Sequence, residues 1–177
     1  MLAFDAPAHG NSEGTHINAV VYADMIKKIV ELYGPIKNFI SHSFGGLAVC
    51  LALEELAVDG NTKIVLIAPA TETNTAVDQA FKLLKLSDPL VRKEFDKLIF
   101  KISGKPIEWY SIKRALKNIT AKILWIHDAD DDVTPLADAN NALSDKPPNV
   151  EFIVTNGLGH RKIYRDQETM RSVISFL

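Results

Sequence analysis

The chain has 177 residues, a formal charge of −2 and an ordinary globular composition, 47% hydrophobic and 24% charged. That length suits one compact domain with one core, and the near-neutral balance excludes bulk electrostatic attraction to nucleic acid or to an anionic membrane. No apolar run approaches the roughly 20 residues that span a bilayer, the first residues lack the pattern of a signal peptide, and the single cysteine, Cys50, cannot form an internal disulfide; the expected compartment is the cytoplasm.

Residues 1–4 are a short apolar run ended by Asp5-Ala6-Pro7, the pattern of a strand entering a loop. Ile17, Val20, Val21, Met25, Ile26, Ile29 and Val30 then recur at helical spacing, and Gly34-Pro35 ends that helix. Residues 36–40 read as the next strand and residues 44–56 as the next helix, apolar on every side over residues 47–53 and so deeply packed. Residues 64–68 form a third predicted strand, closed by Pro69.

Residues 71–120 break this rhythm. They are rich in Lys, carry Phe81, Leu83, Leu84, Leu90, Phe95 and Phe100 among other large apolar residues, and show no clear strand. Two to four helices, forming a lid or cap off the sheet, are expected there. Residues 121–126 and 150–154 resume the β pattern, separated by a helix over residues 135–143, and residues 164–177 close the chain as a helix. Strands alternating with helices imply an α/β domain over residues 1–177, with a mostly parallel sheet of about five strands and helices on both faces. In such sheets the site lies at the carboxyl ends of the strands.

The segment with the most chemical content is Ser41-His42-Ser43-Phe44-Gly45-Gly46, directly after a strand and opening a helix. A Ser lifted above a sheet needs a sharp, strained turn, and the residues two before and two after it must be small. Ser41 and Gly45 meet that condition, and the N–H of Phe44, free at the helix start, could face an oxyanion. A Ser hydroxyl becomes nucleophilic when a positioned His takes its proton and an acid fixes the His tautomer. His160 follows the glycine-bearing loop Thr155-Asn156-Gly157-Leu158-Gly159 after the last predicted strand. The acid is sought in His127-Asp128-Ala129-Asp130-Asp131-Asp132-Val133-Thr134-Pro135, where four carboxylates compete. That aspartate run is not a calcium loop of the EF-hand kind, because Val133 and Ala139 stand where Gly and a bidentate Glu are required. No metal or other cofactor is implied.

With these residues in view, the whole chain resembles the α/β-hydrolase family, in which Ser, acid and His follow in that order. Laying the family's pattern G-x-x-D-x-x-V-P on this sequence puts Asp128 at the Gly, Asp131 at the acid and Thr134 at the Val, with Asp130 and Asp132 as fallbacks. Phe4 to Ser12 resembles the family's turn D-x-P-G-x-G-x-S, which implies an architectural role for Asp5 and Gly10; His42 and His127 match residues common in the family and read as structural. The resemblance implies a serine hydrolase acting on an acyl ester or thioester, with Ser43, Asp131 and His160 catalytic and Phe44 supplying an oxyanion donor.

The match begins at the family's fourth strand. The loop that carries a second oxyanion donor then has no counterpart, which would cost about a hundredfold to a thousandfold in rate. The exposed apolar sheet edge predicts a homodimer or strand exchange. Acyl transfer, a non-catalytic interaction module with a relict site, and a fragment of a complete hydrolase are the competing readings.

Overall fold

The structure, a computed structural model, describes residues 1–56 and 58–177. One parallel sheet organises it, formed by β1 (Asn38–His42), β2 (Lys63–Ile67), β3 (Lys122–Asp128) and β4 (Val150–Thr155) in that spatial order. The α-helices are α1 (Ala19–Tyr33), α2 (Phe44–Leu53), α3 (Thr73–Leu83), α4 (Pro89–Ser103), α5 (Ile112–Ala115), α6 (Leu136–Ala142), α7 (Gly159–Lys162) and α8 (Gln167–Phe176). Parallel neighbours need a crossover, and the long connections between consecutive strands supply it.

The sheet has four strands, one fewer than expected, because residues 1–4 do not pair. A strand must run within about 4.8 Å of its neighbour to exchange hydrogen bonds. Here Met1 to Phe4 and β1 both line an open groove of about 750 Å³, and Phe4 packs edge-on against Tyr22 of α1 at 6.3 Å instead. Element ends also shift from the sequence-based ranges: β1 starts two residues later than expected, and α8 starts at Gln167 because Asp166 caps it, accepting from the Thr169 N–H at 2.9 Å.

The two central strands are buried on both faces, as their continuous apolar sequences require. Side chains alternate between two cores. Ile64, Leu66, Ile123 and Trp125 join α2 in the larger one. Val65, Ile67, Leu124 and Ile126 meet Ile163 and Val173 in the smaller. All eight residues from Gly46 to Leu53 of α2 are buried, Cys50 among them, and burial pushes the Cys50 thiol up to about 12, which makes it an inert core group.

Gly46 permits the closest approach at the start of α2. A β-carbon there would lie 2.6 Å from Pro69 Cβ, whereas one at Gly45 meets nothing nearer than the Tyr22 hydroxyl at 3.4 Å. The tight position is therefore one residue beyond the one that the turn motif suggested.

Residues 71–120 leave the sheet and return. Their far part is the α3–α4 hairpin, in which Phe81 and Phe95 meet edge to face at 5.5 Å and Arg92 is held by Asp78, by Asp96 at 3.1 Å and by Asn74 at 3.0 Å. Their near part is anchored, since Ile107, Tyr110, Ile112, Ala115 and Ile119 are buried. Among the described residues no helix is long and apolar enough to cross a membrane.

Candidate active site

Three loops at the carboxyl ends of β1, β3 and β4 converge. The first holds Ser43 at φ +55° and ψ −127°, a conformation that costs a non-glycine residue energy and persists only where its surroundings impose it. Here they do: the Ser43 N–H donates to the Ile67 carbonyl at 3.1 Å, and the Ser43 carbonyl accepts from Gly46 and Ala70 N–H, each at 2.9 Å. Ser41 fits where a glycine is usual because its hydroxyl turns inward and donates to the Val65 carbonyl at 3.2 Å. Phe44 is the first residue of α2, so its N–H has no intrahelical partner.

The structure brings Ser43, His160 and Asp131 into one hydrogen-bonded row. His160 Nδ1 lies 2.8 Å from Asp131 Oδ2, and His160 Nε2 lies 2.9 Å from Ser43 Oγ. A carboxylate only accepts, so Nδ1 carries the proton, Nε2 is a bare lone pair, and Ser43 donates to it. Asp131 is oriented on every side. Its Oδ1 accepts from the Thr134 and Val133 N–H groups at 2.7 and 2.9 Å, and its Oδ2 accepts from the Thr134 hydroxyl at 2.9 Å. Burial raises the Asp131 carboxyl, but the donors from Thr134, His160 and Val133 outweigh it and hold the acid ionised below its ordinary value.

The fallback acids do other things. Asp130 is exposed and accepts from the Gly157 N–H at 2.8 Å, while Asp132 is exposed. Asp128 is fully buried and clasps the His160 loop: Oδ1 accepts from Gly159 and Asp130 N–H at 2.8 and 3.0 Å, and Oδ2 from the Thr155 hydroxyl and Leu158 N–H at 2.7 and 3.2 Å. Burial raises its carboxyl too, but those four donors hold it below the usual range. Asp128→Asn turns one accepting oxygen into a donor facing two donors, so a loss of about 2 kcal/mol in unfolding free energy is expected. A urea midpoint equal to the parent's would remove Asp128 from this role.

Sequence reasoning named Thr134 and Asp128 but missed their roles, the hydroxyl between Asp131 and His160 and the clasp on the His160 loop. Both stood at positions where the family pattern has an apolar or a glycine residue, and that departure was the available signal. The Thr134 hydroxyl also lies 3.2 Å from His160 Nδ1 and 3.3 Å from the Ala68 carbonyl, so it ties acid, base and the loop after β2 together.

His42 and His127 are neutral supports. Trp125 Nε1–H donates to His127 Nδ1 at 3.2 Å, which leaves His127 Nε2–H to donate to the Thr134 carbonyl at 2.7 Å. His42 Nε2–H donates to the His160 carbonyl at 3.0 Å, and its ring lies 4.7 Å from the rings of both His160 and Tyr164. Burial lowers the pKa of both supports below the ordinary value, in spite of the carbonyls they face. Because folding depresses these values, protons bind the unfolded chain better. The contribution of these two groups to stability is thus full above about pH 6.5 and declines as pH falls below it. Urea midpoints should be flat from neutral to mildly alkaline pH and drop under mild acid; a midpoint that rose on acidification would reverse the assignment.

Asp5 and Gly10 lie apart from the row. Asp5 Oδ2 accepts from the Asn11 N–H at 2.8 Å, and Gly10 leaves room for that carboxylate. Among the described residues no group of three or more His, Cys, Asp or Glu side chains is arranged to hold a metal ion.

The model of the alpha/beta hydrolase family matches residues 1–170. A comparison with curated proteins found no significant match. Among solved structures, an esterase from Exiguobacterium antarcticum superposes with a TM-score of 0.68 at 16% identity, over 97% of this chain and 79% of that one. A monoacylglycerol lipase from Paleococcus ferrophilus gives 0.66 at 22% identity, over 98% and 81%. The esterase PF2001 from Pyrococcus furiosus gives 0.66 at 22% identity, over 99% and 68%. At these identities the superpositions establish a shared fold.

Proposed function

The chain belongs to the alpha/beta hydrolase family, and from that premise we propose that it is a serine hydrolase cleaving carboxylic esters or thioesters of small molecules through an acyl-enzyme. The observation that carries this reading is the row Ser43–His160–Asp131, with contacts of 2.9 and 2.8 Å and the base in the tautomer that accepts the Ser proton. Ser43 Oγ attacks the acyl carbonyl as its proton passes to His160 Nε2, and Asp131 stabilises the imidazolium that forms. The Phe44 N–H at the start of α2 faces the developing oxyanion. His160 then returns the proton to the leaving alkoxide or thiolate, and water activated by the same His releases the acid. The esterase and lipase names of the superposed structures support an acyl substrate.

A fluorophosphonate reports on this reading without knowledge of the substrate. Stoichiometric labelling at Ser43, located by peptide mass spectrometry, is the expected result. Folded protein that stays unlabelled would overturn it.

We further propose that the outer edge of β1 associates with a second copy or exchanges a strand with it. Its outer side has no strand partner among the described residues, Ile40 is 58% exposed, and the adjoining groove is apolar. Light scattering should find a dimer at micromolar concentrations; a monomer throughout would exclude it.

A further inference from the structure

The α3–α4 hairpin carries a feature that the row at Ser43 does not use. Every residue from Lys82 to Val91 is exposed, ten in succession, so the chain here forms a projecting tip. Soluble tips are normally polar. This one presents Leu83 at 82%, Leu84 at 65% and Leu90 at 68% exposure, with Leu86 between them. Neither helix contributes a single buried residue to a core.

Charge separates the possible partners. From Lys82 to Lys105 there are seven cations against three carboxylates, a local +4 in a chain of −2. Two of those three carboxylates are already engaged with cations of the same helix, Asp96 with Arg92 and Glu94 with Lys97. The third, Asp88, caps α4 by accepting from the Leu90 N–H at 2.8 Å. Lys82, Lys85 and Lys93 flank the exposed leucines and pair with no carboxylate among the described residues. A second copy docked tip to tip would set these lysines against one another. A lipid surface with anionic headgroups satisfies both features: leucines enter the boundary of the acyl region while lysine stems lie along it with their ammonium groups among the phosphates.

We propose that the α3–α4 tip is a peripheral docking element for anionic lipid surfaces, with Leu83, Leu84, Leu86 and Leu90 as the apolar anchor and Lys82, Lys85 and Lys93 as its cationic collar. The near-neutral total charge hides this, because the remainder of the chain is acidic. The proposal is independent of the catalytic reading, which fluorophosphonate labelling tests alone.

Co-sedimentation of the full chain with vesicles tests it, using phosphatidylcholine alone and phosphatidylcholine mixed with phosphatidylglycerol. Binding to the mixed vesicles, weaker on phosphatidylcholine and weakened by salt, is expected. Leu83→Ser with Leu84→Ser should lower the partition coefficient on both vesicle types by more than about tenfold. Lys82→Glu with Lys85→Glu should lower it by at least about tenfold on the mixed vesicles only. Circular dichroism checks that each variant folds, which the full exposure of these positions favours. Folded protein that ignores both vesicle types would overturn the proposal, as would binding indifferent to the lysine pair. So would a dimer that the leucine pair converts to monomer while vesicles capture neither form, since the occupant would then be a second copy.

Discussion

Ser43→Ala is expected to abolish fluorophosphonate labelling and to lower turnover of an activated ester such as p-nitrophenyl acetate by about 10⁶-fold relative to the parent protein. The size follows from removing the attacking atom while leaving its supports intact. The strained backbone at residue 43 is imposed by main-chain hydrogen bonds to Ile67, Gly46 and Ala70, none of which involves the hydroxyl. Alanine at φ +55° carries the same strain as serine, so the fold should survive and the loss should be chemical. Ser41→Ala is the control: that hydroxyl faces the Val65 carbonyl inside the sheet, and its loss should cost little in rate. Equal residual rates in the two variants would end the catalytic reading of Ser43.

Asp131→Asn should lower turnover by roughly 10⁴-fold with the fold retained. The loss comes from the His160 tautomer. The side-chain oxygen of Asn can still accept from the Val133 and Thr134 N–H groups, which fixes the amide nitrogen on the side that now holds Oδ2. That nitrogen is a donor, so His160 Nδ1 must become the acceptor and its proton moves to Nε2. Nε2 then cannot take the Ser43 proton. Asp132→Asn, at an exposed carboxylate outside the row, should leave the rate nearly unchanged. A loss confined to Asp132→Asn, with Asp131→Asn fully active, would reassign the acid.

The alternation of apolar runs with helical spacing was enough for a parallel sheet covered on both faces, because each element's periodicity records which of its sides is buried. The turn at Ser43 was equally legible, since a strained residue between small neighbours is a local steric requirement. Residues 1–4 misled for the complementary reason. An apolar run carries strand character, but a strand exists only where a partner edge lies within hydrogen-bonding distance, and here a groove intervenes.

The acid loop marks the boundary between the two kinds of information. Asp128, Asp130, Asp131 and Asp132 are nearly equivalent as residues in a string, and only the folded chain distinguishes them: Asp128 grips the loop after β4, Asp130 touches Gly157, Asp132 faces solvent, and Asp131 alone reaches His160. Thr134 is a similar case, since nothing local to it says that its hydroxyl will lie between an acid and a base 26 residues further on. By itself, then, the sequence determined the class of fold, the turn that presents Ser43 and the order in which candidate residues follow it, because these depend on neighbours along the chain. Which carboxylate faces His160, which side chains steady it, and which apolar surfaces stay uncovered were decided by tertiary structure, because they depend on loops that meet only when the strands between them have aligned.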